Sequence, residues 1–227
     1  MIEAFDDAEG LAQAGAEAVL DALRGALARQ PRARLVATGG RSPGPVYDRL
    51  AAADLDWAQV DVTLSDERFA PPDHAASNER LVRERLLKAR AAAARFVPLY
   101  RPAPDADAAA RAGEAAIEAL APFDITLLGM GPDGHVASLI PGSRRLAEGM
   151  DLSLTKMLMG VPEAIGDPPL PRITLTLHAL LQSRAILVLI AGETKRQVIE
   201  RAAAGENLPV RALLTQAEVP VRVLWAP

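Results

Sequence analysis

The run Ile186-Leu187-Val188-Leu189-Ile190 offers no polar residue to either of its faces. Successive side chains of a strand point to opposite sides, so a strand of this composition must be covered on both. It is far too short to span a membrane. Gly192 turns it into a predicted helix, Glu193 to Ala204. A strand buried on both faces and feeding a helix belongs to the interior of a parallel sheet flanked by helices.

The rest of the chain repeats that alternation. Leu11, Gly15, Val19, Leu23 and Leu27 recur at helical spacing, predicting a helix from Asp6 to about Gln30, with Asp6 or Asp7 as cap. Strands are predicted at Arg34–Thr38, Val60–Ser65, Phe96–Leu99, from Phe123 onward, at Arg172–Thr176 and at Val221–Trp225. Helices are predicted at Val46–Ala53, with Ser42 placed to cap, at Ser77–Leu87, at Ala108–Leu120 and at Leu177–Gln182, with one helical turn at Pro209–Leu214. Gly142 to Leu170 is broken by Gly149, Gly160, Pro162, Gly166, Pro168 and Pro169. It reads as an irregular excursion with one short strand. The expected fold is α/β, with a mostly parallel sheet and helices on both faces, in one domain over residues 1–227.

A net charge of −4 on 227 residues argues against a general nucleic-acid or membrane-surface binder. With no cysteine, thiol nucleophiles, disulfides and Cys-ligated zinc are ruled out. The acidic start Met1-Ile2-Glu3-Ala4-Phe5-Asp6-Asp7 lacks a charged-then-apolar signal pattern, so a cytoplasmic location is expected. No His/Asp/Glu cluster has metal-ligand spacing, and no metal is expected.

The chemistry-bearing stretch is Gly129-Met130-Gly131-Pro132-Asp133-Gly134-His135, which follows a strand. It formally fits the dinucleotide pattern G-x-G-x-x-G. Asp133 would place a negative charge where a pyrophosphate sits, and Pro141-Gly142 arrives too soon for the crossover helix, so that reading fails. Histidine ordinarily titrates near 6.5, which suits a base at neutral pH, and Asp133 could orient the ring of His135. A loop histidine on its own is more often a structural cap. The glycines around two ionisable groups point instead to close approach of a ligand. His74 and His178 read as structural or solvated.

Gly39-Gly40-Arg41-Ser42, between a strand and a helix, reads equally as an anion cradle and as a tight turn with a cap. Asp66-Glu67-Arg68 ends a strand, on the side where such sheets bind ligands. Arg172 and Lys195 also open or follow buried strands. Each cation alone is commonly a surface ion-pair partner; Arg41, Arg68, Arg172 and Lys195 together suggest a phosphate grip.

These motifs, in this order, resemble the 6-phosphogluconolactonase family, which is related to the glucosamine-6-phosphate deaminases. The likeness runs from Thr38-Gly39-Gly40-Arg41-Ser42-Pro43 through Ser65–Pro71 with Ser77-Asn78, the Gly129–Gly142 block and Pro171–Leu177 to Gly192 with Lys195. It implies a three-layer, Rossmann-like α/β/α fold and hydrolysis of 6-phosphoglucono-1,5-lactone in the oxidative pentose phosphate pathway. No cofactor is implied. The partner is a small sugar-phosphate lactone, with neither nucleic acid nor membrane, and a monomer or weak homo-oligomer is expected. The deaminases tend to carry Asp-Glu-Tyr where this chain has Asp66-Glu67-Arg68, and a glutamate where it continues Ala137-Ser138-Leu139-Ile140. Both differences favour the lactonase; a deaminase and a non-catalytic sugar-phosphate sensor are the alternatives. His135 is then the expected base, Asp133 its orienter, and Gly39, Gly40, Arg41, Ser42, Arg68, Arg172 and Lys195 the phosphate grip, with glycine-turn amides as oxyanion donors. The chain departs from the family at Arg41, where a small polar residue is usual, in lacking a lysine shortly before Pro168-Pro169, and in its C-terminal tail.

Overall fold

Chain direction decides where this molecule can hold a ligand. The computed structural model describes residues 2–227. In order, the elements are β1 (Ile2–Ala4), α1 (Ala8–Leu27), β2 (Ala33–Ala37), α2 (Gly44–Ala52), β3 (Val60–Leu64), β4 (Asp66–Arg68), α3 (Asn78–Arg85), β5 (Arg95–Phe96), α4 (Ala106–Glu118), β6 (Ile125–Gly129), α5 (Leu146–Gly149), β7 (Leu158–Val161), β8 (Arg172–Leu175), α6 (Leu177–Leu181), β9 (Ile186–Ala191), α7 (Glu193–Ala203), α8 (Pro209–Thr215) and β10 (Val221–Ala226). Seven strands form one sheet in the order β1-β10-β9-β6-β2-β3-β5. All its pairings are parallel.

From β1 through β2 and β3 to β5 the chain steps one way across the sheet; from β5 through β6 and β9 to β10 it steps back. Right-handed crossovers therefore put α1, α2 and α3 on one face and α4, α6 and α7 on the other. The contacts agree: α1 packs on α2 and α2 on α3, while α4 lies against β7 and β8 and α7 against α8. The connections part at neighbouring strands β2 and β6. Such a switch point opens a crevice at the carboxyl ends of the strands.

Local chemistry accounts for most of the element boundaries. Asp7 caps α1 by accepting from the Gly10 N–H at 2.8 Å, Ser77 caps α3 through Arg80 N–H at 3.1 Å, and Asp105 caps α4 through Ala108 N–H at 2.7 Å. The buried stripe of α1 is Leu11, Ala12, Gly15, Ala16, Val19, Leu23 and Ala26. Leu23 is fully buried, a burial that contributes roughly 1.5–3 kcal/mol.

Several sequence expectations are corrected. Ser42 does not cap α2: Pro43 holds the cap position, and no side chain bonds there. The strand predicted at Phe96–Leu99 lies earlier, at Arg95–Phe96, because Pro98 has no N–H to extend the ladder. β1 was not predicted. Nor was a second sheet, in which β4, β8 and β7 pair antiparallel. The chain enters it directly from β3 through Ser65, and the strand expected at Arg172–Thr176 belongs to it rather than to the parallel sheet. No helix among the described residues is long and apolar enough to cross a membrane.

Candidate active site

A cleft of about 570 Å³ opens at the switch point. The loop after β2 gives it Gly39, Gly40, Arg41 and Ser42, the turn after β6 gives Gly129, Met130, Gly131 and His135, and the antiparallel sheet gives Arg68 and Arg172. Lys195, from the first turn of α7, completes the ring of cations. A second depression, of about 390 Å³, lies between α4, α5 and β7. Its Arg145, Asp107, Glu148 and Lys156 are paired with one another, and Glu114 accepts from the N–H groups of Met157 and Leu158.

The turn after β6 is folded around the imidazole. His135 Nδ1 lies 2.6 Å from Asp133 Oδ1. Gly134 has φ of 79°, and a side chain on Gly131 would meet the His135 ring at 2.2 Å. Gly131 is thus required by the histidine itself, not by a ligand. Its N–H donates to the His135 carbonyl at 3.0 Å, and the Gly134 N–H donates to the Gly131 carbonyl at 3.0 Å. Both amides are therefore engaged within the turn and are not the free oxyanion donors expected from the sequence. Burial would raise the Asp133 carboxyl, but its bonds from His135 outweigh this and hold it below the usual range. An ionised Asp133 can only accept, so the neutral imidazole carries its proton on Nδ1 and presents a lone pair at Nε2.

Among the described residues only Arg172 of the cleft's cations has a carboxylate partner, Asp66. Arg68 and Arg172 are direct cross-strand partners of β4 and β8, an arrangement of like charges that is unfavourable unless an anion joins them. Arg172 is buried. Its Nη2 donates to the carbonyls of Asp167 at 3.2 Å and Pro168 at 3.0 Å, and Nη1 lies 3.7 Å from Asp66 Oδ2. Burial lowers its pKa, with Asp66 opposing and Arg68 reinforcing. The Nε atoms of Arg68 and Arg172 are both buried without partners. Burial and the nearby Arg41 likewise lower Lys195. Among the described residues no carboxylate lies within 4.0 Å of Arg41, Arg68 or Lys195.

Three supporting residues escaped the sequence reading. Tyr47 is fully buried behind the β2 loop; its hydroxyl accepts from Thr38 N–H at 2.8 Å and donates to Thr38 C=O at 2.6 Å. Tyr47→Phe leaves both backbone groups unpaired and is expected to cost about 1–3 kcal/mol in urea unfolding. Asn78 fills the space beside Gly39, where a Cβ would fall 2.0 Å from its Oδ1, and its Nδ2 donates to Asp66 C=O at 2.8 Å. The Ser77-Asn78 pair was legible only as a helix start.

Glu67, the third, is fully buried. It accepts from the N–H groups of Arg68 (2.7 Å), Asn78 (2.8 Å) and Glu79 (2.7 Å) and from Ser77 Oγ (3.0 Å). It ties β4 to the start of α3. Burial pushes its pKa from 4.5 up to about 7 despite these donors. Between those values the folded state binds the proton more tightly than the unfolded chain does, so this group's contribution to stability falls as pH rises. The unfolding free energy of the native chain should fall relative to Glu67→Gln by up to about 3 kcal/mol between pH 4.5 and 7, and stay level above. Urea titrations at several pH values check this; a difference that grows with pH would contradict it.

The sequence profile described as "Glucosamine-6-phosphate isomerases/6-phosphogluconolactonase" matches residues 6–225. The chain belongs to this family. The 6-phosphogluconolactonase of Caulobacter vibrioides is 44% identical over 225 residues, covering 99% of this chain and 97% of that protein. A crystal structure of a 6-phosphogluconolactonase from Shewanella baltica superposes with a TM-score of 0.93 at 35% identity, covering 100% of this chain and 97% of that one. A monomeric glucosamine-6-phosphate deaminase shares the fold, with a TM-score of 0.80 at 22% identity over 99% of this chain and 96% of that one.

Within the family fold, every residue singled out from the sequence either lines the cleft or, as Asp133 does, touches a residue that lines it. His74 is exposed and its Nδ1 accepts from Ala76 N–H at 3.1 Å; His178 sits on α6. Neither lines the cleft. At the end of Ala137-Ser138-Leu139-Ile140 the chain has buried Ile140 and no acid, while Ser138 is buried and donates to Asp66 at 2.6 Å.

Proposed function

We propose that the chain hydrolyses 6-phospho-D-glucono-1,5-lactone to 6-phosphogluconate, as the names of its relatives indicate, with His135 as general base. The observation that carries this is the Asp133–His135 pair at the rim of a cleft in which, among the described residues, Arg41, Arg68 and Lys195 have no carboxylate partner. Nε2 takes a proton from water as its oxygen adds to the lactone C1. The tetrahedral adduct collapses by breaking the bond from C1 to the ring oxygen. The imidazolium returns the proton to that oxygen, and the new carboxylic acid ionises in water. Proton transfer of this kind supplies about 10²–10⁴-fold, which suffices for a δ-lactone already prone to hydrolysis.

The Gly39-Gly40-Arg41-Ser42 loop, Arg68, Arg172 and Lys195 hold the 6-phosphate, and its binding energy orients the ring. The test is a pH-stat assay of lactone hydrolysis corrected for spontaneous opening, run beside an assay for ammonia release from glucosamine 6-phosphate. Lactonase turnover without ammonia is expected. Ammonia release would instead assign the deaminase reaction, and binding of 6-phosphogluconate without any turnover would assign a sensor.

A further inference from the structure

Ala137 has φ of 50°, in the left-handed region that a residue with a side chain occupies only under constraint. It lines the cleft two residues after His135. Before it, the chain is tied to the end of β6: the His135 carbonyl accepts from Gly131 N–H at 3.0 Å, and Val136 bridges Met130. After it, the chain is tied to the antiparallel sheet. Ser138 is 1% exposed; its Oγ donates to Asp66 Oδ2 at 2.6 Å and its N–H donates to Thr174 Oγ1 at 3.0 Å. Thr174 in turn donates to the Leu175 carbonyl at 2.9 Å, and Asp66 also accepts from Ser65 Oγ at 3.0 Å. Asp66 and Thr174 are themselves cross-strand partners. Both anchors of Ser138 therefore grip one rung of the small sheet, and the strained residue lies at a second junction of the two sheets, the first being Ser65 between β3 and β4.

We infer that Ser138 is a positioning residue for His135: its two bonds to the Asp66–Thr174 rung hold Ala137 left-handed and so fix the imidazole relative to the Arg68–Arg172 pair on the same sheet. This rests on His135 being the base. The base rides on the parallel sheet and two of the cations on the antiparallel one, so their separation is set by whatever joins them. A misplacement of about 1 Å is enough to cost on the order of 10²-fold in rate.

The test is a double-mutant cycle in kcat and KM for the lactone. Ser138→Cys keeps nearly the same volume and replaces the hydroxyl with a weak donor. It should lower kcat by about 10–100-fold with KM little changed. In an Ala137→Gly background the same change should cost at most about threefold, because glycine holds a positive φ without a clamp. Equal losses in both backgrounds, or a raised KM with kcat preserved, would overturn the proposal. Thr174→Val removes the second anchor and serves the same cycle if Ser138→Cys does not fold. His135→Ala is assayed alongside. Full turnover in that variant defeats the reading of the base; an inactive His135→Ala beside a fully active Ser138→Cys defeats the clamp alone.

Discussion

His135→Ala lowers kcat for the lactone by about 10²–10⁴-fold and moves KM by no more than a few-fold. On the proposed mechanism the imidazole acts on water and on the leaving oxygen, while the cations elsewhere in the cleft hold the phosphate, so the loss falls on the transition state rather than on binding. Asp133→Asn should give a smaller loss. It keeps an oxygen that can accept from Nδ1 but removes the charge that stabilises the imidazolium. The measurement is initial rate against substrate in a pH-stat with the uncatalysed rate subtracted. Wild-type turnover in His135→Ala would show that some other group is the base.

Arg172→Met should reduce kcat/KM by about 2–5 kcal/mol, mostly through KM. Arg172 is buried, it opposes Arg68 across the strands, and its Nε has no partner. Methionine fills much of the same volume, but it also takes the guanidinium away from buried Asp66, 3.7 Å off, and breaking a buried pair by removing one partner destabilises the fold. The unfolding free energy should therefore fall as well, and the loss of ligand binding is read on the folded variant. Urea unfolding of the variant beside its steady-state kinetics separates the two. Unchanged KM would remove Arg172 from the phosphate grip and leave Arg41, Arg68 and Lys195 to supply it.

Much of the parallel sheet was legible because its signals are local. An unbroken apolar run such as Ile186–Ile190 can only be an interior strand, and Asp7 and Ser77 mark helix starts by side-chain chemistry that acts within three residues; the cap at Asp105 went unread, the helix being expected only from Ala108. The antiparallel sheet was not legible. Asp66-Glu67-Arg68 reads as the tail of β3, and only pairing with β8, more than a hundred residues on, makes it a strand. Three-residue β1 carries too little pattern to be distinguished from a tail. The site divides in the same way. His135, Asp133 and the cations are residue types whose chemistry announces itself, and their place at strand ends follows from alternation. Asn78 and Ser138 act by touching residues distant in sequence, Tyr47 reaches back across the turn to Thr38, and nothing in the local pattern names those partners. The Gly131 requirement was legible as a glycine, but its reason, the imidazole lying against it, needed coordinates.

The pairing of Arg68 with Arg172 bears on the protein at rest. Two guanidinium groups set side by side on neighbouring strands are an unfilled binding energy. If these two charges hold the 6-phosphate as proposed, phosphate or sulfate in the medium competes for them, and a free anion at a hundredfold its dissociation constant would stabilise the fold by about 2.7 kcal/mol. On that reading an incoming lactone displaces any such occupant, and the departing gluconate takes its phosphate away from the same two charges. Both ends of the catalytic cycle thus become ion exchanges.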